Sequence, residues 1–241
     1  MANDDLESAL GRWKNTLCRE IDVGGLFSRS KIAHKWKAPW RAILLREAVA
    51  WRLQDLLEQS RVLHEASHVL GARILLRSGF ETVAILIYSN KSIRRVIAGD
   101  FDFHEFSEQT SRLLLGSRDK TTRMEAINIL TVLRNADQRY PGLDQWYAAL
   151  SESAHPNFEG LLFGYSIADE QSHLTTFSNR WENLYGKHHL ESINACMNVF
   201  NAEYNHEWPS AFEALERWLE QNDSTLEATR PSKMKGLEGD N

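Results

Sequence analysis

Glycine and proline are scarce in this chain, 13 and 5 among 241 residues, which leaves too little turn material for a sandwich or barrel of short strands. Cysteine is scarcer still. Cys18 and Cys196 lie far apart, with no CxxC pair, metal-ligand spacing or disulfide framework, and both read as small buried hydrophobes of a reducing, cytoplasmic protein. Long apolar runs are missing too. The longest extends from Val83 to Tyr88, and the opening MANDDLESAL is acidic where a secretory leader would be basic, so neither an export signal nor a membrane span is expected. The chain also lacks an excess of positive charge. With 28 Lys+Arg against 33 Asp+Glu the formal charge is -5, which excludes a surface cationic overall and leaves only a local basic groove for nucleic acid.

What is present is helical periodicity. Leu6, Leu10, Trp13 and Leu17 form one stripe of a helix over 6–21 that ends before Gly24 and Gly25. Residues 22–37 form a polar connector with Ser28, Arg29, Ser30, Lys31, His34, Lys35 and Lys37, read as a solvated loop or a loop that contacts phosphate. From Pro39 to Tyr88 apolar residues recur at three and four, through Leu45, Val49, Leu53, Leu56, Leu57, Leu63, Leu70, Ile74 and Leu75. A single helix of that span would reach about 75 Å, so a break near 60–67 is required, giving two antiparallel helices of roughly 22 residues. The run from Val83 to Tyr88 continues that period as helix. Shorter helices follow over 91–98, 103–115, 125–139 and 143–154, the last stopped by Pro156, which disfavours helical geometry at His155. A closing helix over 187–221, kinked at Pro209, precedes a polar tail at 222–241 read as disordered.

Three stretches carry candidate chemistry. His64-Glu65-Ala66-Ser67-His68 matches H-E-x-x-H, which on a helix would set two imidazoles on one face for Zn²⁺ with the glutamate beside a water. A third ligand is not evident: Ile74 stands where the extended motif has histidine, and Glu81 lies too far along. Arg77 and Glu81, one turn apart in an apolar helix, must pair or share a polar site, because isolated charges there are costly. The stretch from Tyr147 to Gly160 gathers Ser151, Glu152, His155 and Asn157 at a helix end. There an imidazole can serve as general acid or base, or these side chains can simply cap the helix.

Together, Leu76-Arg77-Ser78-x-x-Glu81-Thr82 and Tyr147-x-x-Leu150-Ser151-Glu152-x-x-His155-Pro156-Asn157 resemble the motifs of a bacterial family of HEPN-like helical proteins, over about residues 40 to 220. The resemblance implies an all-α, up-and-down helical bundle with additional peripheral helices, in which the Arg77/Glu81 helix and the His155 helix face one another across a polar pocket, commonly near a dimer interface. In better-known HEPN proteins that pocket is a metal-independent ribonuclease site of toxins and defence systems, built on Arg-polar-x-x-x-His. Here Ser151 takes the polar position and Leu150 stands where the arginine is expected.

The resulting expectation is one helical domain, with an arm over 1–37, a bundle over 38–221 and the tail. It forms a homodimer, needs no cofactor, and binds or cleaves RNA or a nucleotide. His155 is then the acid/base or ligand contact, Ser151 and Asn157 position phosphate, Arg77 held by Glu81 supplies charge, and Tyr147 and Glu152 line the pocket. The alternatives are a non-catalytic binding or scaffold module and a zinc peptidase through His64 and His68.

Overall fold

The computed structural model describes residues 3–231, with side chains from residue 5 onward. Among the described residues the chain is all-α apart from one small ribbon: α1 (Asn3–Thr16), α2 (Val23–Arg29), α3 (Lys37–Glu65), α4 (Val69–Ala98), α5 (Phe103–Leu115), α6 (Ile129–Asp137), α7 (Leu143–Ala154), β1 (Ser166–Asp169), β2 (Leu174–Phe177), α8 (Trp181–Tyr185), α9 (His189–Ala202) and α10 (Trp208–Ala228). No helix among the described residues is long and apolar enough to cross a membrane. The region read from sequence as one domain contains two compact units. The first comprises residues up to 17, 49–85 and 129–201; the second comprises 18–48, 86–128 and residues from 202 on.

In the first unit the core comes from the expected stripes of α3 and α9, but on α4 the buried stripe is Leu76, Phe80 and Val83, shifted from the expected Leu70, Ile74 and Leu75, of which Ile74 is exposed. Leu53 and Leu57 of α3, Leu76, Phe80 and Val83 of α4, Leu133 of α6, Leu150 of α7 and Ile193, Cys196 and Phe200 of α9 are all buried. Trp13 of α1 stacks on Phe200 with ring centroids 4.5 Å apart. Burial pushes the Cys196 thiol pKa far up, so this cysteine is a packing residue. The α3–α4 break falls within the expected window and is made without glycine or proline. Ser67 is left-handed at φ 58°, its N–H donates to the His64 carbonyl at 2.9 Å, and the His68 N–H donates to the Leu63 carbonyl at 2.8 Å. That pair of bonds is a Schellman ending with serine in the position glycine usually takes.

In the second unit the connector differs from its expected solvated or phosphate-contacting form. It folds as α2 and a 3₁₀ turn over Ala33–Lys35, because its polar groups meet an acidic stripe on α10. Arg29 and His34 reach Glu216 at 2.7 and 2.8 Å, Ser30 donates to Glu220 at 2.6 Å, and Lys35 and Trp36 share Asp223 at 2.7 and 2.9 Å. Helix α10 therefore continues past residue 222, where the sequence reading began a disordered tail, and its last turns are anchored by Asp223 and buried Leu226; the tail over 232–241 lies outside the described residues. The closing helix is also modified. A π-helical turn, Glu203–Glu207, separates α9 from α10, and Pro209 sits in the first turn of α10.

Replacing Ser67 with glycine relieves the left-handed strain of a side-chain-bearing residue and should raise the unfolding free energy by about 0.5–1 kcal/mol. Urea denaturation measures it; a loss of stability would refute the strained-cap assignment.

Candidate functional site

All of the candidate residues lie in the first unit. Helices α4 and α7 run antiparallel there, because Arg77 meets the earlier part of α7's last turns and Arg73 the later part. Arg77 Nε donates to Ser151 Oγ at 2.8 Å and its Nη2 to the Tyr147 hydroxyl at 2.7 Å. Glu81, one turn along α4, pairs with the same Nη2 at 3.2 Å. Arg73, one turn before Arg77, donates from Nε to Ser153 Oγ at 2.8 Å and from Nη2 to the Ala149 carbonyl at 3.0 Å. Its guanidinium lies 3.9 Å from the centroid of the Tyr185 ring. The Ser153 hydroxyl in turn donates a hydrogen bond to Glu159 Oε1 at 2.7 Å. Burial lowers the pKa of Arg73, with Tyr185 and Glu159 opposing the shift, and raises that of Tyr185, reinforced by Glu159.

The end of α7 explains the rest of the second motif. His155 is the C-cap, extended at ψ 144° as the residue before proline must be. Asn157 donates to Glu152 at 2.5 Å and accepts the Gly160 N–H at 3.0 Å, opening a π-helical turn, Phe158–Phe163. That turn requires glycine at 160, since a Cβ there would stand 2.0 Å from the His155 carbonyl oxygen. The β1–β2 ribbon follows, with Ser166 opposite Phe177 and Asp169 opposite Leu174.

The site therefore assembles in part. Arg77, Glu81, Tyr147 and Ser151 come together as expected, whereas Glu152 and Asn157 form a separate pair. The expected arrangement of Arg77 facing His155 across one pocket is corrected: the His155 ring is exposed, and among the described residues it makes no hydrogen bond. Leu150, at the position of the missing arginine, is 5% exposed and belongs to the core.

The zinc alternative is corrected as well. The Schellman turn ends α3 between the two histidines, His68 is exposed, and His64 Nε2 is bonded to the Gly186 carbonyl at 2.9 Å. No group of three metal-ligating side chains occurs among the described residues.

His64 instead stacks on His189, with centroids 5.2 Å apart. Ser60 donates its proton to the Ala72 carbonyl at 2.8 Å, so its oxygen accepts from His189 Nε2 at 2.9 Å. This assigns both rings the Nε2–H tautomer and leaves both Nδ1 atoms as buried acceptors without partners. Burial first, then His64 and Arg73, hold the His189 pKa down to about 3.

Sequence reasoning missed Arg73, Ser153, Glu159, Tyr185, Ser60 and His189. A signal existed for Arg73, a second arginine one turn before Arg77 on an apolar helix, and Ser153 and Glu159 lie within the stretch from Tyr147 to Gly160; Tyr185, Ser60 and His189 come into place only through long-range packing. No protein-family model matches the chain, and neither a curated protein nor a solved structure is significantly similar to it.

Arg77→Lys removes the planar fork that serves Ser151 and Tyr147 together, and should lower stability by about 1–3 kcal/mol in urea titrations. Acid dependence gives a second check. Native His189 stays neutral down to about 3 while the unfolded chain takes up that proton near the ordinary histidine pKa of about 6.5. Between those values the unfolded state holds more protons, so stability is complete above the upper limit and falls as the pH drops toward the lower one. His189→Gln should flatten this acid limb; an unchanged profile would assign it to other groups.

Proposed function

We propose that this chain is a HEPN-like helical module that acts by binding, through self-association, with the Arg77 cluster as the lock that holds its binding segment in place. One observation carries the reading: every polar side chain of the α7 motif except His155 is committed to protein partners, and the segment it fixes is apolar and exposed. Phe158, Leu161, Leu162, Ile167, Leu174 and Phe177 are each 52–77% exposed within residues 158–177. At about 100 Å² for each of these half-exposed side chains they present roughly 600 Å² of apolar surface, approaching the ~800 Å² that each partner buries in a stable complex. The two-stranded β1–β2 sheet also offers edge backbone groups, and such a ribbon is marginal in water by itself. A second copy of the chain supplies both the apolar cover and the strand.

This reading requires no cofactor and no RNA, and it accords with a cytoplasmic protein in which Cys196 remains a reduced, buried thiol. A second reading is favoured by a specific feature. The His155 ring is exposed and forms no hydrogen bond among the described residues, one turn beyond Ser151, so it is available as the acid/base of a ribonuclease or as a nucleotide contact.

Sedimentation velocity of the wild-type chain should show a dimer that Leu174→Lys with Phe177→Ser converts to a monomer; a monomeric wild type at micromolar concentration would overturn self-association. Incubation with labelled RNA separates the two readings. The binding reading expects no cleavage, whereas cleavage by the wild type that His155→Ala abolishes would establish the enzyme instead.

A further inference from the structure

The two outer edges of the β1–β2 ribbon are not equivalent. The Ser178 N–H donates to the Tyr165 carbonyl at 2.9 Å, which makes these residues a hydrogen-bonded pair in the register that sets Ser166 opposite Phe177 and Ile167 opposite Thr176. Bonded and non-bonded pairs alternate along an antiparallel ladder. Ile167 with Thr176 and Asp169 with Leu174 are therefore the bonded pairs inside the ribbon. The backbone groups of Ser166 and Ala168 point outward from β1, and those of Thr175 and Phe177 point outward from β2.

The β1 edge is obstructed. Arg180 Nη1 donates to the outward Ser166 carbonyl at 2.6 Å and to the Phe163 carbonyl at 2.7 Å, and its guanidinium lies 4.9 Å from the centroid of the Phe163 ring. Ser166 is itself buried, with its hydroxyl donating to the Leu162 carbonyl at 2.8 Å. Bonds from a charged donor are among the stronger ones, and a strand arriving at β1 would have to displace them. β2 carries no such cover. Every residue of Leu174–Phe177 is exposed, and the outward groups of Thr175 and Phe177 make no hydrogen bond among the described residues. That edge is also complementary to itself. With two β2 strands antiparallel about Thr176, Thr175 stands opposite the second copy's Phe177, and each such pair exchanges both backbone bonds. The equivalent pairing of β1 about Ile167 would need the Ser166 carbonyl that Arg180 holds.

We propose that Arg180 is a gatekeeper of self-association, on which reading this assignment rests: by holding the outer edge of β1 it confines strand addition to β2, and the second copy joins through its own β2.

Proline at an outward position removes a donor to the neighbouring strand without touching a bond inside the ribbon. In sedimentation velocity Thr175→Pro should be monomeric, and Ala168→Pro should remain a dimer. Arg180→Ala, which bares the Ser166 carbonyl, should form species larger than the dimer, and adding Ala168→Pro to it should restore the dimer. Residue-resolved amide exchange of the wild type probes the same edge without a substitution: as concentration rises through the association range, Thr175 and Phe177 should gain protection and Ala168 none. A dimer that survives Thr175→Pro, is lost in Ala168→Pro, or protects Ala168 in place of Thr175 and Phe177 would overturn the edge assignment and leave self-association standing. Arg180→Ala that stays dimeric, or larger species that survive the added Ala168→Pro, would overturn the role of Arg180. A monomeric wild type would instead remove self-association itself, and the edge assignment with it.

Discussion

Two guanidinium groups one turn apart on α4 grip one face of α7. Arg77 holds Tyr147 and Ser151, and Arg73 holds Ser153 and the Ala149 carbonyl. A lone arginine in this setting would be a liability, because removing it from water costs several kcal/mol. Here the fork geometry lets each cation donate to two acceptors on α7, with Glu81 and Glu159 near at hand to balance charge. The pairs also fix register. Shifting α7 along α4 by one residue would point Ser151 and Ser153 away from their arginines and strip both cations of those acceptors.

That register decides where the chain goes after α7. Ser153 reaches Glu159, and Asn157 joins Glu152 to Gly160, so the helix end and the π-helical turn form one hydrogen-bonded unit. The ribbon that follows inherits its position from the same bonds, with Arg180 bonding the Phe163 and Ser166 carbonyls at 2.7 and 2.6 Å. A motif that looks like an array of catalytic groups thus has a complete mechanical explanation for every polar member but His155. The departure at Leu150 fits that explanation, since a buried leucine packs α7 where an arginine would have brought charge.

Much of the helical framework was legible because periodicity reports burial directly. Helix α5 and helix α7 begin and end where the apolar spacing and the flanking Gly116 and Pro156 say they should; the cost of burying charge required a polar partner for Arg77, while only the resemblance pointed to the α7 motif as that partner. The α3–α4 break was legible only as a necessity of length, since Ser67 gives no local turn signal. The connector was misread for a different reason: its basic residues look solvated until the acidic face of α10, some 180 positions away, is brought against them. The ribbon escaped notice because strands of four residues carry almost no alternation to detect. His189 looked like any helix-start histidine, and only tertiary packing reveals its shared enclosure with His64.

The ribbon has one further consequence. Joining the same strand edge from each of two chains uses those two edges up about a twofold axis and makes a closed pair. Joining β1 of one chain to β2 of the next would instead leave an unused edge at every step and allow an endless fibre. Asp169 and Glu170, negative residues at the ribbon's tip, would be stacked against their copies in such a fibre, and their mutual repulsion favours the closed pair.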